Sequence, residues 1–146
     1  MRILTTITGL LLVGLLFGQS SGDKALGKWY TPDKETILEI YKDGGKYFGK
    51  IVWLKEPNED DGTAKVDDEN PDTELQSQAI LGLVNLKDFS YDSKEKEWSD
   101  GNIYDPKNGK IYDCYMWMDN ENELTIKGYI MGMRWLGRKE TWTRAE

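Results

Sequence analysis

The chain has 146 residues, with 19 Lys and Arg against 26 Asp and Glu, a net charge of −7, one cysteine and no histidine. That length favours one domain. The acidic balance argues against binding a nucleic-acid backbone, which needs clustered Lys and Arg, and against docking to an anionic membrane face.

Residues 10–17 form an apolar run too short for a stable transmembrane helix, with Arg2 before it and small or polar residues at 18–22 after it. This pattern predicts a secretory leader over residues 1–22 and a mature domain over 23–146. The mature protein then keeps no stable membrane anchor. Residues 27–31 and 36–42 read as the first two strands. Asp43-Gly44-Gly45 supplies a turn, and 46–54 is a third strand rich in β-branched and aromatic residues. Residues 55–74 are dominated by Asp, Glu, Asn, Pro and Gly, so they read as a long loop, with a short helical turn near 71–78. The apolar pattern restarts at Ile80 and runs through Phe89 and Tyr91 to a polar turn at 92–96. Residues 97–104 and 110–118 pair through Asp105-Pro106-Lys107-Asn108-Gly109, where Pro106 presets one φ and Asn108-Gly109 tolerates positive φ. Strands at 124–130 and 135–143 complete the set.

No segment shows sustained helical periodicity. About eight strands with near-neighbour connections define an all-β chain. A single antiparallel up-and-down barrel is the preferred architecture, because closure removes the exposed edges of an open sheet; a β-sandwich is the alternative. Alternation assigns the faces. Tyr112, Cys114, Met116 and Met118 form one apolar row, and Leu124, Ile126, Gly128 and Ile130 another. Leu136 and Trp142 share a face with Arg138 and Glu140, and charges on such a row mark a cavity lining or a bulged strand. Closure would also bring Trp29, on the first strand, against Arg144, on the last.

Gly27-Lys28-Trp29, Asp68-Glu69-Asn70-Pro71-Asp72, Gly101-Asn102-Ile103-Tyr104-Asp105-Pro106, Gly109-Lys110-Ile111-Tyr112 and Leu136-Gly137-Arg138 with Trp142-Thr143-Arg144 stand in order along the mature chain. On these blocks it resembles the exported bacterial family called domain of unknown function 2147. The resemblance implies an envelope location and one small β domain, and no activity. Gly27-Lys28-Trp29 with Arg144 is also similar to the closure signature of lipocalins, in which a tryptophan plugs one barrel end and a basic residue lies across it. Lipocalin disulfides are impossible here, and the long acidic loop stands where a meander would have a short hairpin.

The chemistry is bounded by what is missing. Without histidine there is no Ser-His-Asp or Cys-His arrangement, and with a single cysteine a zinc site lacks its usual ligands. Cys114 reads as a buried, inert thiol. The acidic loop offers hard oxygen donors, but the calcium-loop pattern fails because Pro57 stands where the first aspartate belongs. No metal or cofactor is expected. Asp68, Asn70, Asp72 and Asp105 are loop-site candidates, with turn chemistry as their plain role. Tyr112, Met116, Arg138, Glu140 and Trp142 are the ligand-row candidates. The leading expectation is a binding module for a small, partly apolar ligand. An envelope interaction module, with an outer patch of Tyr115, Trp117, Tyr129 and Trp135, comes second. A carboxylate-based hydrolase is third, for want of a nucleophile or base.

Overall fold

The computed structural model describes residues 21–146; the expected leader otherwise lies outside the described residues. Eight strands close into an antiparallel barrel in which each strand pairs with its sequence neighbour and β8 returns to β1. They are β1 (Gly27–Tyr30), β2 (Thr36–Asp43), β3 (Lys46–Leu54), β4 (Val84–Asp92), β5 (Glu97–Asp105), β6 (Lys110–Asn120), β7 (Glu123–Tyr129) and β8 (Gly137–Arg144). The sandwich is thereby set aside.

One end of the barrel is plugged. A short 3-10 helix, Ser21–Ala25, packs Ala25 into the core, and the Ala25 carbonyl accepts from Trp29 Nε1 at 2.9 Å. Trp29 is fully buried, and the Arg144 guanidinium sits 4.1 Å from the centre of its ring. The guanidinium also donates to the carbonyls of Glu121, Leu26 and Lys24 at 2.8, 3.0 and 2.9 Å. A planar cation with several donors can stack and hydrogen-bond at once, as lysine cannot. Above this plug lie Trp98, Trp142, Tyr47, Phe89 and Leu86, all essentially inaccessible to water. Gly101 permits this packing, because a Cβ there would run into the Phe89 ring.

The other end carries the connections 31–35, 55–83, 106–109 and 130–136. Residues 55–83 form an ordered strap. Paired bridges Asn58↔Ala64 and Val66↔Ala79 and a 3-10 turn, Thr73–Leu75, capped by Asp72, satisfy much of its backbone. It is tethered by Asp67, a fully buried carboxylate that accepts from Tyr104 Oη at 2.7 Å and from Asn70 Nδ2 at 2.8 Å. Gly109, at φ 70°, lies so close to the Glu69 carbonyl that no side chain fits there.

Four details differ from the alternation reading. Residues 80–83 belong to the strap, because Leu83 bonds to Ile51 outside the ladder and β4 starts only at Val84. Trp135 and Leu136 lie in the connection before β8, exposed at 78% and 50%, since the chain turns there instead of pairing. Ile130 falls just beyond β7 and is exposed. Thr125, placed on the outer row, is buried because its hydroxyl bonds both Asp119 and Thr141.

Candidate functional site

The inner wall from β5 to β8 is built of two adjacent rows. Gly101, Cys114, Gly128 and Arg138 stand side by side across four strands, and Trp98, Met116, Ile126 and Glu140 form the next row. Residues directly opposite in a ladder share a face. Trp98, Cys114, Met116 and Ile126 are buried, so that face is the interior. Arg138 and Glu140 therefore point into the barrel, and both remain exposed to solvent. Two features keep them wet. The neighbours of Arg138 along its row are small. β8 also pairs with β1 only through Arg144 and Thr143, which leaves its first half without a β1 partner.

Arg138 and Glu140, two apart on one strand face, form no ion pair within 4.0 Å among the described residues. Glu140 sits above its ordinary carboxylate range because burial penalises its charge. The Trp142 indole and the cations Arg138 and Lys107 oppose that rise, and Asp33 adds to it. Trp142 Nε1 is buried with no hydrogen-bond partner of ordinary geometry among the described residues. Cys114, below Glu140, is pushed up to about 12, first by burial and then by the Glu140 charge. It should resist a thiol-specific disulfide reagent at pH 8 in the folded protein and react at once in denaturant. Rapid native labelling would contradict this burial.

The raised Glu140 pKa has a definite sign. The folded protein holds a proton that the unfolded chain has released, so this contribution to stability is full below pH 4.5 and is lost as pH rises through the folded value. Glu140→Gln should therefore stabilise slightly at neutral pH, by less than about 1 kcal/mol for so accessible a group, and flatten the dependence above pH 4.5. Urea melts across that range check it. A loss of several kcal/mol would mean a buried, paired carboxylate instead.

A cavity of about 490 Å³ opens beside this wall, between the ends of β2 and β3, the strap and the β5–β6 turn. That is within the range of small-molecule sites. Its apolar lining is Ile51, Leu54, Val66, Ile80 and Pro106, and its rim carries Lys55, Lys65 and Lys107 among six carboxylates. The cavity shares Asp33 and Lys107 with the charges that act on Glu140. Asp33 is held below the ordinary carboxylate range, chiefly by the Thr31 hydroxyl.

None of Tyr112, Met116, Arg138, Glu140 and Trp142 lines this cavity. Met116 and Trp142 are buried in the packed core beneath the two charges, and Tyr112 Oη accepts from Asn108 Nδ2 at the rim. Among the loop candidates, Asp68 lines the cavity. Asn70 holds Asp67, Asp72 caps the 3-10 turn, and Asp105 accepts from the Lys107 amide. Among the described residues no three acidic or cysteine side chains converge as a metal site. Sequence reasoning missed Ile51, Leu54, Lys65 and Ile80 as cavity wall. The bulge-like break in the β3–β4 register, which brings the strap back onto Ile51, leaves no composition signal.

The fold and its mouth define a small eight-stranded barrel with one end plugged by Trp29 under Arg144 and the other open under a tethered strap. In architecture it is a lipocalin-like barrel. A solved structure described as "Protein HP1028 from the human pathogen Helicobacter pylori belongs to the lipocalin family" superposes with a TM-score of 0.71 at 20% identity, covering 84% of this chain and 83% of that one. By sequence the chain belongs to the family described as "Uncharacterized protein conserved in bacteria (DUF2147)", whose model matches residues 27–144. No curated protein matches it.

Proposed function

We propose that the protein is an exported binding module that takes a small amphipathic ligand at the open end of the barrel. The observation that carries this reading is the pair Arg138 and Glu140, two opposite charges on the interior wall that are solvent-accessible, not bonded to each other, and set over an apolar floor. A soluble barrel with no ligand to recognise has little reason to turn both charges inward, where each forgoes part of its hydration. Export is read from the leader sequence over residues 1–22.

The test is fluorescence titration with cis-parinaric acid, competed by dodecylamine, on residues 22–146. Arg138→Ala should weaken the acid about ten- to a hundredfold, the loss of one charge-assisted hydrogen bond. Glu140→Gln should weaken the amine in preference. Gly128→Val, which fills the space beside Arg138, should weaken both. Absence of saturable binding by either amphiphile, or binding indifferent to all three changes, would sink the proposal.

One observation favours a second reading, an envelope interaction module. On the outer face Tyr115 stacks on Trp117 at 5.4 Å and meets Tyr129 at 5.9 Å, and Arg134 lies 3.6 Å above Tyr115. Tyr115→Ala would leave amphiphile binding intact and abolish partner capture on that reading.

A further inference from the structure

The cavity under the strap holds neither of the interior charges Arg138 and Glu140, and its own charge is lopsided. Six carboxylates line it against three lysines. Lys65 meets Glu56 at 4.0 Å, and Lys107 acts on Asp33 and Glu140. Glu35, Glu59, Asp68 and Glu69 are left with no ion pair among the described residues. All four are exposed, so they form a rim. The floor is apolar: Ile51 is buried, and Leu54 and Ile80 pack against the core beside it.

The backbone fixes where these carboxylates stand. Glu35 N donates to Asp33 Oδ1, and the Glu35 carbonyl accepts from Lys55 N. Glu59 is held across its own turn by bonds with Thr63 and Gly62. Asp68 and Glu69 lie between the Asp67 tether to Tyr104 and the close approach of the Glu69 carbonyl to Gly109. Only their side chains are free to swing, so mutual repulsion is built into the rim. A group that brings positive charge relieves that repulsion, and one that brings an apolar tail covers the floor. A bare metal ion suits the cavity poorly, because no three acidic side chains converge on a point among the described residues and an ion leaves the floor wet.

We infer that the ligand class of the open end is a cationic amphiphile, an alkyl ammonium whose tail lies on Ile51, Leu54, Val66 and Ile80 and whose head stands among the rim carboxylates. This rests on the reading of the open end as a ligand site, and adds the sign of the head and the place of the tail. A carboxylate-headed amphiphile of the same length meets the same floor under a repulsive rim.

The experiment is isothermal titration calorimetry of residues 22–146 with decylamine and with decanoate, both below their micelle concentrations, at neutral pH. The amine should bind at least about tenfold more tightly and lose that margin in about 0.5 M salt. Its affinity should rise about two- to fourfold per methylene from octylamine to decylamine. Glu35→Gln with Asp68→Asn should weaken decylamine about tenfold, leave decanoate no weaker and leave the melting temperature unchanged, since both side chains are exposed and unpaired. Val66→Ser, on the exposed part of the floor, should weaken decylamine severalfold and supplies an arm that leaves the charges alone. Saturable binding in which decanoate equals or exceeds decylamine overturns this inference and leaves the open-end reading standing, whereas no binding of either defeats both. Decylamine binding that both variants retain, or an affinity independent of chain length, also overturns it. So does displacement of decylamine by micromolar calcium chloride, which would make the rim a metal site.

Discussion

Trp29→Ala is expected to destabilise the barrel by about 3–5 kcal/mol, the usual cost of emptying a large buried aromatic site. The side chain is fully buried, its Nε1 bonds the Ala25 carbonyl, and its face carries the Arg144 guanidinium. Removing it opens a void against Ala25 and strips Arg144 of its stacking partner. The surrounding wall resists collapse, because β1 is held on one side by β2 and on the other by β8. Arg144→Ala should cost less, about 1–2 kcal/mol for a cation over an indole, since the carbonyls it leaves can turn to water. Urea denaturation of both variants checks the ranking. A Trp29→Ala effect below that of Arg144→Ala would show that the plug is not what holds this end.

Asp67→Ala should be the next most severe, at about 3 kcal/mol, because it strands the Tyr104 hydroxyl and the Asn70 amide that bond a fully buried carboxylate. The effect should be regional. Asp67 N also bonds Gln78 O, and Val66 and Ala79 bridge beside it, so the strap loses its anchor to β5. Lys65, Val66, Asp68 and Glu69 are cavity wall, so the same change should deform the cavity. Tyr104, whose pKa is pushed up to about 12 by burial and by Asp67, should drop toward ordinary phenol behaviour. Hydrogen exchange over residues 55–83 and a spectrophotometric titration of Tyr104 measure both. Tyr104→Phe removes one donor only and should cost about 1 kcal/mol. Unchanged exchange in the strap of Asp67→Ala would show that Gly109 and the bridges hold it without the carboxylate.

The strands were legible because each is a local pattern: alternation on a pleated surface, bounded by Asp43-Gly44-Gly45 or Asp105-Pro106-Lys107-Asn108-Gly109. The order of the strands followed from short connections, since neighbours in sequence pair most cheaply. The site was only partly legible. Alternation puts Arg138 and Glu140 on one face, but whether that face is packed, wet or paired depends on what three other strands place beside it.

The sequence by itself determined an acidic, histidine-free, single-cysteine chain, its antiparallel strands and turns, and the family to which its ordered blocks belong. These depend on residue chemistry and on spacing within a few positions. Only the tertiary structure decided that Asp67 is the buried tether, through a bond to Tyr104 across 37 residues. It alone left Arg138 and Glu140 open to solvent inside the barrel, because the small residues beside Arg138 and the short β1 come from separate parts of the chain. It also left Trp135 and Leu136 uncovered, although their apolar sequence reads as the start of a strand. The reason is common to all three. Burial is a property of the neighbours that pack onto a side chain, and those neighbours are set by closure of the whole barrel.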